Sequence, residues 1–281
     1  MPMARYSADL HVHTIYSDGS FTPRELVKRA RALKLNAVAV TDHDDIDGVH
    51  PARVAGEKLG VRVIPGVELS AHHDGIEVHI IGLFVDVLDA RFLELLQRLQ
   101  RLRLERIRLI AECLGALGVE LAADDVLAVA GRGAPSRAHA ARALVKKGLA
   151  TDIREAFRRY LGDYAPCNVP KNFLSMAEAI DAVRRCGGVA VFAHPGLTRH
   201  DELLPIFARL GGQAIEVYYP SYSRQQTRQY LAIARQLELL PSGGSDCHGL
   251  NRPELRLGKM RLPERIVTEL ERLARFGMPS V

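Results

Sequence analysis

The stretch Ala8-Asp9-Leu10-His11-Val12-His13 carries two histidines two positions apart in an apolar run. In an extended chain alternate side chains share a face, so His11 and His13 project together and could offer two nitrogens to one metal ion. Asp18 follows between Ser17 and Gly19, in a turn able to return a carboxylate to the same point. An isolated His-x-His is more often a pair of half-buried histidines in a sheet. What changes the reading is recurrence at the ends of later apolar runs. His43 follows Asn36–Thr41, Glu68 follows Val61–Pro65, His79 interrupts Ile76–Gly82, His194 follows Val189–Ala193, and Asp246 and His248 follow Leu239–Ser245. These nine side chains include six of the eleven histidines. Imidazole and carboxylate without thiolate suit manganese, iron or zinc, with manganese the first choice. Nine donors exceed the need of one ion, so two or three divalent ions sharing a carboxylate are expected.

The elements that must position these groups can be read from pattern. Thr22-Pro23-Arg24-Glu25 and Ser175-Met176-Ala177-Glu178 are capping boxes that open helices. Seven short apolar runs, most alternating with helical segments, predict a barrel wound from βα units. From about Asp89 to Phe173 strand signals give way to helical spacing, with Phe92, Leu95, Leu96, Leu99, Leu102 and Ile107 on one arginine-rich helix. The expected division is a discontinuous barrel domain of residues 1–87 and 172–281, with an all-helical insertion at 88–171. Within the insertion, Gly133-Ala134-Pro135-Ser136-Arg137-Ala138-His139 sets Ser136, Arg137 and His139 at a helix N-terminus. That turn reads equally as a phosphate cradle or as a plain serine cap beside exposed basic residues. Lys171 and Asn172 are candidates for the same task. Tyr219, with Tyr218 and Tyr222, follows a strand and offers either a stacking surface for a base or packing at the rim.

The totals bound the class. The chain has 281 residues, 47% of them hydrophobic and 25% charged, with a formal charge of +5. It is long enough for a large core and lacks the composition of a disordered or fibrous protein. Basic residues gather between positions 91 and 185, which suits an anionic substrate or nucleic acid and suits solvated helix faces as well. The four cysteines, Cys113, Cys167, Cys186 and Cys247, are widely spaced with no Cys-x-x-Cys pair. That spacing argues against a disulfide framework or zinc finger and for a reducing cytoplasm. No apolar run approaches the length of a membrane span, and the first residues lack a signal-peptide core. A cytoplasmic protein with no membrane partner is expected.

Asp9-Leu10-His11-Val12-His13-Thr14, Thr41-Asp42-His43-Asp44, Pro65-Gly66-Val67-Glu68, His194-Pro195 and Ser245-Asp246-Cys247-His248 together resemble the motif set of the PHP (polymerase and histidinol phosphatase) family of the amidohydrolase superfamily. The resemblance implies a distorted (βα)7 TIM-like barrel and a trinuclear site. His11, His13, Glu68 and Asp246 would hold the first ion, Glu68 with His79 and His194 the second, and Asp18, His43 and His248 the third. The helical insertion and the Ser136-Arg137-x-His139 turn are similar to the subgroup that removes the 3'-phosphate of nucleoside 3',5'-bisphosphates, although Ala138 stands where proline is expected. The implied reaction converts a bisphosphate (pAp) to AMP and phosphate through a metal-bridging hydroxide, with no side-chain nucleophile. Ser136, Arg137, His139 and Lys171 would bind the second phosphate. Rival readings are a 5'-3' exoribonuclease trimming short 5'-phosphorylated RNA, a histidinol-phosphate phosphatase, and a non-catalytic module that holds metal and binds a partner. Oligomeric state has no signal in the sequence.

Overall fold

A computed structural model describes residues 7–171 and 173–276. The seven apolar runs pair as one mixed sheet in chain order, β1 to β7. These strands are β1 (Ala8–Asp9), β2 (Ala37–Val40), β3 (Arg62–His73), β4 (Ile76–Leu83), β5 (Val189–Phe192), β6 (Ala214–Tyr218) and β7 (Leu240–Gly243). β1–β2–β3 and β5–β6–β7 are parallel, as βα winding requires, while β4 is antiparallel to both neighbours. The sheet curls far enough that a parallel bridge joins Val12 to Cys247, beyond the ends of β1 and β7. Strands β2 and β5 are buried on both faces, so they read as continuous apolar runs rather than alternating ones.

Helices α1 (Pro23–Ala32) and α2 (Val49–Leu59) follow β1 and β2. Thr22 caps α1 as expected: its hydroxyl accepts from the Glu25 N–H while the Glu25 carboxylate receives the Thr22 N–H. After β5 the winding resumes with α8 (Pro195–Thr198), α9 (Leu203–Arg209), α10 (Arg224–Gln236) and α11 (Glu264–Phe276). Before it come α3 (Ala90–Ala116), α4 (Ala123–Ala130), α5 (Arg137–Lys146), α6 (Ile153–Ala156) with a π turn at Phe157–Leu161, and α7 (Met176–Arg185). The helices of 90–161 pack around an apolar cluster of their own that includes Ile107, Ile110, Leu114, Leu144 and Leu161. Among the described residues no helix is long and apolar enough to cross a membrane.

Three expectations change. β3 continues eight residues past Pro65, to His73, and pairs with β4 as a hairpin, so Glu68 stands inside a strand opposite Ile81 rather than beyond a strand end. The turn between β3 and β4, at Asp74-Gly75, adopts positive φ at both residues and reverses the chain directly. The arginines of α3 are not all solvated: Arg103 is 1% and Arg106 5% exposed. Cys113 and Cys167 form a disulfide, with Cα atoms 5.6 Å apart across a sequence separation of 54. Spacing could not reveal it, since α3 and the 162–171 segment meet only through tertiary packing.

Candidate metal centre and adjoining cavity

His11 and His13 lie just past β1, where the chain leaves the sheet with both rings turned inward, their Nε2 atoms 3.1 Å apart. Neither is exposed to solvent. The loop that follows is fixed by Asp42, which accepts from the Thr14 N–H (2.7 Å), the Thr14 hydroxyl (2.6 Å) and the Ser17 hydroxyl (2.6 Å). Gly19 has no room for a Cβ, which would stand 2.6 Å from the His13 carbonyl oxygen. This tight loop brings Asp18 back to the imidazoles, with Oδ1 3.2 Å from His248 Nε2 and 4.0 Å from His43 Nε2.

Glu68 occupies the middle. Its Oε2 lies 3.3 Å from His11 Nε2, 3.2 Å from His13 Nε2 and 3.1 Å from His43 Nδ1. Its Oε1 lies 2.9 Å from His79 Nδ1 and 3.0 Å from His194 Nε2. One carboxylate thus faces two sets of imidazoles, the disposition of a bridging ligand. Asp246 Oδ1 is 3.4 Å from His11 Nε2 and 3.2 Å from His13 Nε2. All nine predicted side chains therefore converge. The donor atoms of eight of them form three compact groups: His11, His13, Glu68 and Asp246; His13, Asp18, His43 and His248; and His43, Glu68 and His79. His194 lies outside these groups and reaches the centre through Glu68.

The tautomers fit a cation. Four imidazoles have one ring nitrogen beside an acceptor outside the centre: His11 Nδ1 beside Glu216 (3.1 Å), His13 Nδ1 beside the Ser17 hydroxyl (3.3 Å), His79 Nε2 beside Glu77 (3.1 Å) and His248 Nδ1 beside the Asp246 carbonyl (2.8 Å). With those nitrogens protonated, the other nitrogen of each ring turns its lone pair inward, as metal-bound histidines do. Asp18 Oδ1, His43 Nδ1 and His194 Nδ1 are buried without a hydrogen-bond partner among the described residues. For Asp18 Oδ1 and His43 Nδ1, 3.2 Å from His248 Nε2 and 3.1 Å from Glu68 Oε2, a short distance without hydrogen-bond geometry is expected of donors aimed at a common point rather than at each other. The electrostatics agree. Burial lowers the affinity of His13 and His79 for protons, but the facing carboxylates outweigh it and push them up to about 10 and about 9. Burial would raise Glu68, Asp18 and Asp246, yet the imidazoles hold all three well below the usual carboxylate range. Without metal, protons supply the positive charge that ions would bring, and metal uptake must displace them.

Sequence reading missed two supports. Glu216, 1% exposed on β6, lies against His11 Nδ1 and accepts the His194 N–H at 2.8 Å. Its signal was a lone carboxylate in Ala214-Ile215-Glu216-Val217, passed over because it precedes a strand end. Buried Arg103 on α3 donates to Asp44 (2.7 Å), to the Ser70 hydroxyl (3.1 Å) and to the Pro135 carbonyl (3.2 Å), tying the helical segment to the chain on either side of His43 and Glu68.

A cavity of about 590 Å³ opens beside His79 and His194, and Arg106, Arg137, Lys171 and Glu77 line it. Lys171 Nζ lies 2.9 Å from Glu77 Oε1, and Arg137 donates to Asn168 Oδ1 (2.9 Å) and Asp163 (3.0 Å). Ser136 and His139 do not join that lining. They cap α5 together, the Ser136 N–H donating to His139 Nδ1 at 3.1 Å, and His139 is 2% exposed. Tyr219 is 2% exposed and donates to Asp246 Oδ2 at 2.7 Å, so it supports a carboxylate and presents no face to a base. Asn172 lies outside the described residues.

Residues 9–165 match the PHP domain family. The chain is 37% identical over 247 residues to the 5'-3' exoribonuclease Rnm of Escherichia coli K12, covering 85% of this chain and 84% of that protein. It is 35% identical over 246 residues to the 3',5'-nucleoside bisphosphate phosphatase of Chromobacterium violaceum, covering 85% and 86%. A crystal structure from Bifidobacterium adolescentis, classed as a metal-dependent phosphoesterase, superposes with a TM-score of 0.87 at 33% identity over 99% of both chains. The chain belongs to the PHP domain family of metal-dependent phosphoesterases.

Proposed function

We propose that the enzyme removes the 3'-phosphate of nucleoside 3',5'-bisphosphates, with AMP the product from the adenine substrate. The observation that carries this reading is the cavity against His79 and His194, where Arg106, Arg137 and Lys171 converge on the edge of the nine-residue centre. A single phosphate at the centre would not require it. A substrate with two phosphates has one for each place. The relative named as a bisphosphate phosphatase supports the same reading. Histidinol phosphate is disfavoured, since its ammonium group would meet three cations, and the inner carboxylate, Glu77, is already engaged by Lys171.

On this reading His11, His13, Glu68 and Asp246 hold one divalent ion, His79 and His194 complete a second site across Glu68, and Asp18, His43 and His248 hold a third. Manganese is the proposed ion, the barrel is closed between β1 and β7, and residues 88–171 cap it. Bound ions would supply a water of lowered pKa and neutralise phosphoryl charge. The protein's own contributions are positional. Glu216 and Ser17 fix the tautomers of His11 and His13, Tyr219 orients Asp246, and Arg137, Arg106 and Lys171 seat the non-reacting phosphate. The buried Ser17 hydroxyl beside His13 Nδ1 already donates to Asp42 at 2.6 Å, so it serves as a support and no covalent intermediate is invoked.

Trimming of short 5'-phosphorylated RNA is the second reading, favoured by the relative named as an exoribonuclease. The same cavity would then hold the 5'-phosphate of the strand. Manganese-loaded protein should be assayed on 3',5'-bisphosphoadenosine, 3'-AMP, 5'-AMP, histidinol phosphate and a 5'-phosphorylated RNA pentamer. The expected result is a kcat/KM for the bisphosphate at least tenfold above that for 3'-AMP, with Arg137→Ala erasing the difference. Faster shortening of the pentamer from its 5' end would replace the first reading by the second.

A further inference from the structure

Glu77 stands on β4, two residues before His79, so its side chain leaves the strand on the same face. Two carboxylates line the cavity. Asp163 is a rim group, 79% exposed, whereas Glu77 reaches inward, with Oε1 2.9 Å from Lys171 Nζ and 3.1 Å from His79 Nε2, and Oε2 3.6 Å from Arg137 Nη2. Lys171, only 9% exposed, has Glu77 as its sole ion-pair partner among the described residues. Arg106 adds a third cation, and its Nε donates to the Val169 carbonyl. Burial, followed by the neighbouring Arg137, brings Arg106 down to about 10, a sign of how crowded the positive charge is.

A carboxylate in this place takes up the donors that a phosphate would need. We propose that Glu77 is a resident competitor for the phosphate this cavity binds: it engages Lys171 and Arg137 until the anion arrives, then yields them. The inference rests on the two-phosphate reading above. Its consequence concerns product release. The product keeps the phosphate seated in the cavity, so without Glu77 three cations, offset only by the rim carboxylate Asp163, would hold it after the reaction is over. The negative charge of Glu77 lowers that affinity and returns to Lys171 as product leaves. Glu77 is thus a specificity-setting residue that acts through the cations, not a catalytic one.

The test is binding of 5'-AMP to manganese-loaded protein by titration calorimetry, for wild type, Glu77→Gln, Lys171→Met and the double variant. Glutamine keeps the size and one acceptor and removes the charge. Glu77→Gln is expected to bind 5'-AMP at least tenfold more tightly, with the KM for the bisphosphate falling and kcat falling with it as product lingers. Lys171→Met should weaken binding, and in the double variant the gain should shrink to the part that Arg137 carries. Equal or weaker binding by Glu77→Gln overturns the proposal and makes Glu77 a strut for its neighbours. A gain undiminished without Lys171 overturns it as well, because Lys171 makes the shorter of the two contacts to Glu77 and must carry part of the competition. If wild type binds no 5'-AMP and shows no preference for the bisphosphate, the proposed function fails instead. The four proteins are then compared with inorganic sulfate, and the same two signs decide the role of Glu77.

Discussion

His194 and Asp246 hold their side chains in the centre from left-handed backbone, at φ 30° and 51°. For residues with a Cβ this conformation costs roughly 1–2 kcal/mol each, and such outliers persist where surrounding structure enforces them. Glu216 supplies part of that enforcement by accepting the His194 N–H and facing His11 Nδ1. Replacing it with glutamine should therefore weaken metal affinity about 10–100-fold, read by competition with a chromophoric chelator, with the far-ultraviolet spectrum unchanged. His139 gives a prediction of a different kind. Burial, with Arg142 nearby, brings its imidazole down to about 4, and protonation at Nδ1 would abolish acceptance of the Ser136 N–H. A histidine lowered from 6.5 in this way contributes stability that is complete above pH 6.5 and lost as pH falls toward 4, on the order of 3 kcal/mol in all. The Tm of wild type should fall faster across that window than that of His139→Asn. The convergence of the nine side chains was legible in sequence because imidazole and carboxylate recur beside apolar runs. Glu216 and the true place of Tyr219 were not, since only packing shows which polar group a buried tyrosine meets.

Among the elements, α3 carries a buried contact that ties the helical segment to the sheet side of the molecule. Arg103 and Asp44 are 1% and 0% exposed, and neither has water to fall back on. Arg103→Met should destabilise the fold by about 3–5 kcal/mol, because it leaves a buried carboxylate without its cation. Adding Asp44→Asn should recover part of that loss, and denaturant unfolding of the pair measures it. Capping boxes at Thr22 and Ser175 were readable because their bonds are local. The burial of Arg103 and Arg106 was not. Helical periodicity sorts apolar from polar residues, and an arginine turned inward to meet an aspartate on another element looks the same in sequence as one in solvent. The Cys113–Cys167 bond was hidden for the same reason.

Over the whole molecule, the three donor groups draw on segments near β1, β2, β3, β4 and β7, so ions would bind only the folded arrangement. Metal at a hundredfold excess over Kd adds about 2.7 kcal/mol per ion to stability. Chelation should accordingly lower Tm by about 5 °C for each ion removed, a shift that calorimetry with and without EDTA would measure. The seven strands and their order could be anticipated from βα rhythm, but the reversed direction of β4 could not. Nothing in an apolar run states which way its neighbours point.

That reversal has a consequence in time. β4 pairs with β3 across a two-residue turn, but its other edge waits for β5, which lies beyond the whole of 84–188. During synthesis the first half of the sheet exists with an open edge while the helical segment is still being made. That segment has its own apolar cluster and can begin to pack before β5 emerges. The long connection between adjacent strands, besides shaping the cavity, sets the order in which the two halves of the metal centre meet: His11 to His79 first, and His194, Asp246 and His248 only at the end.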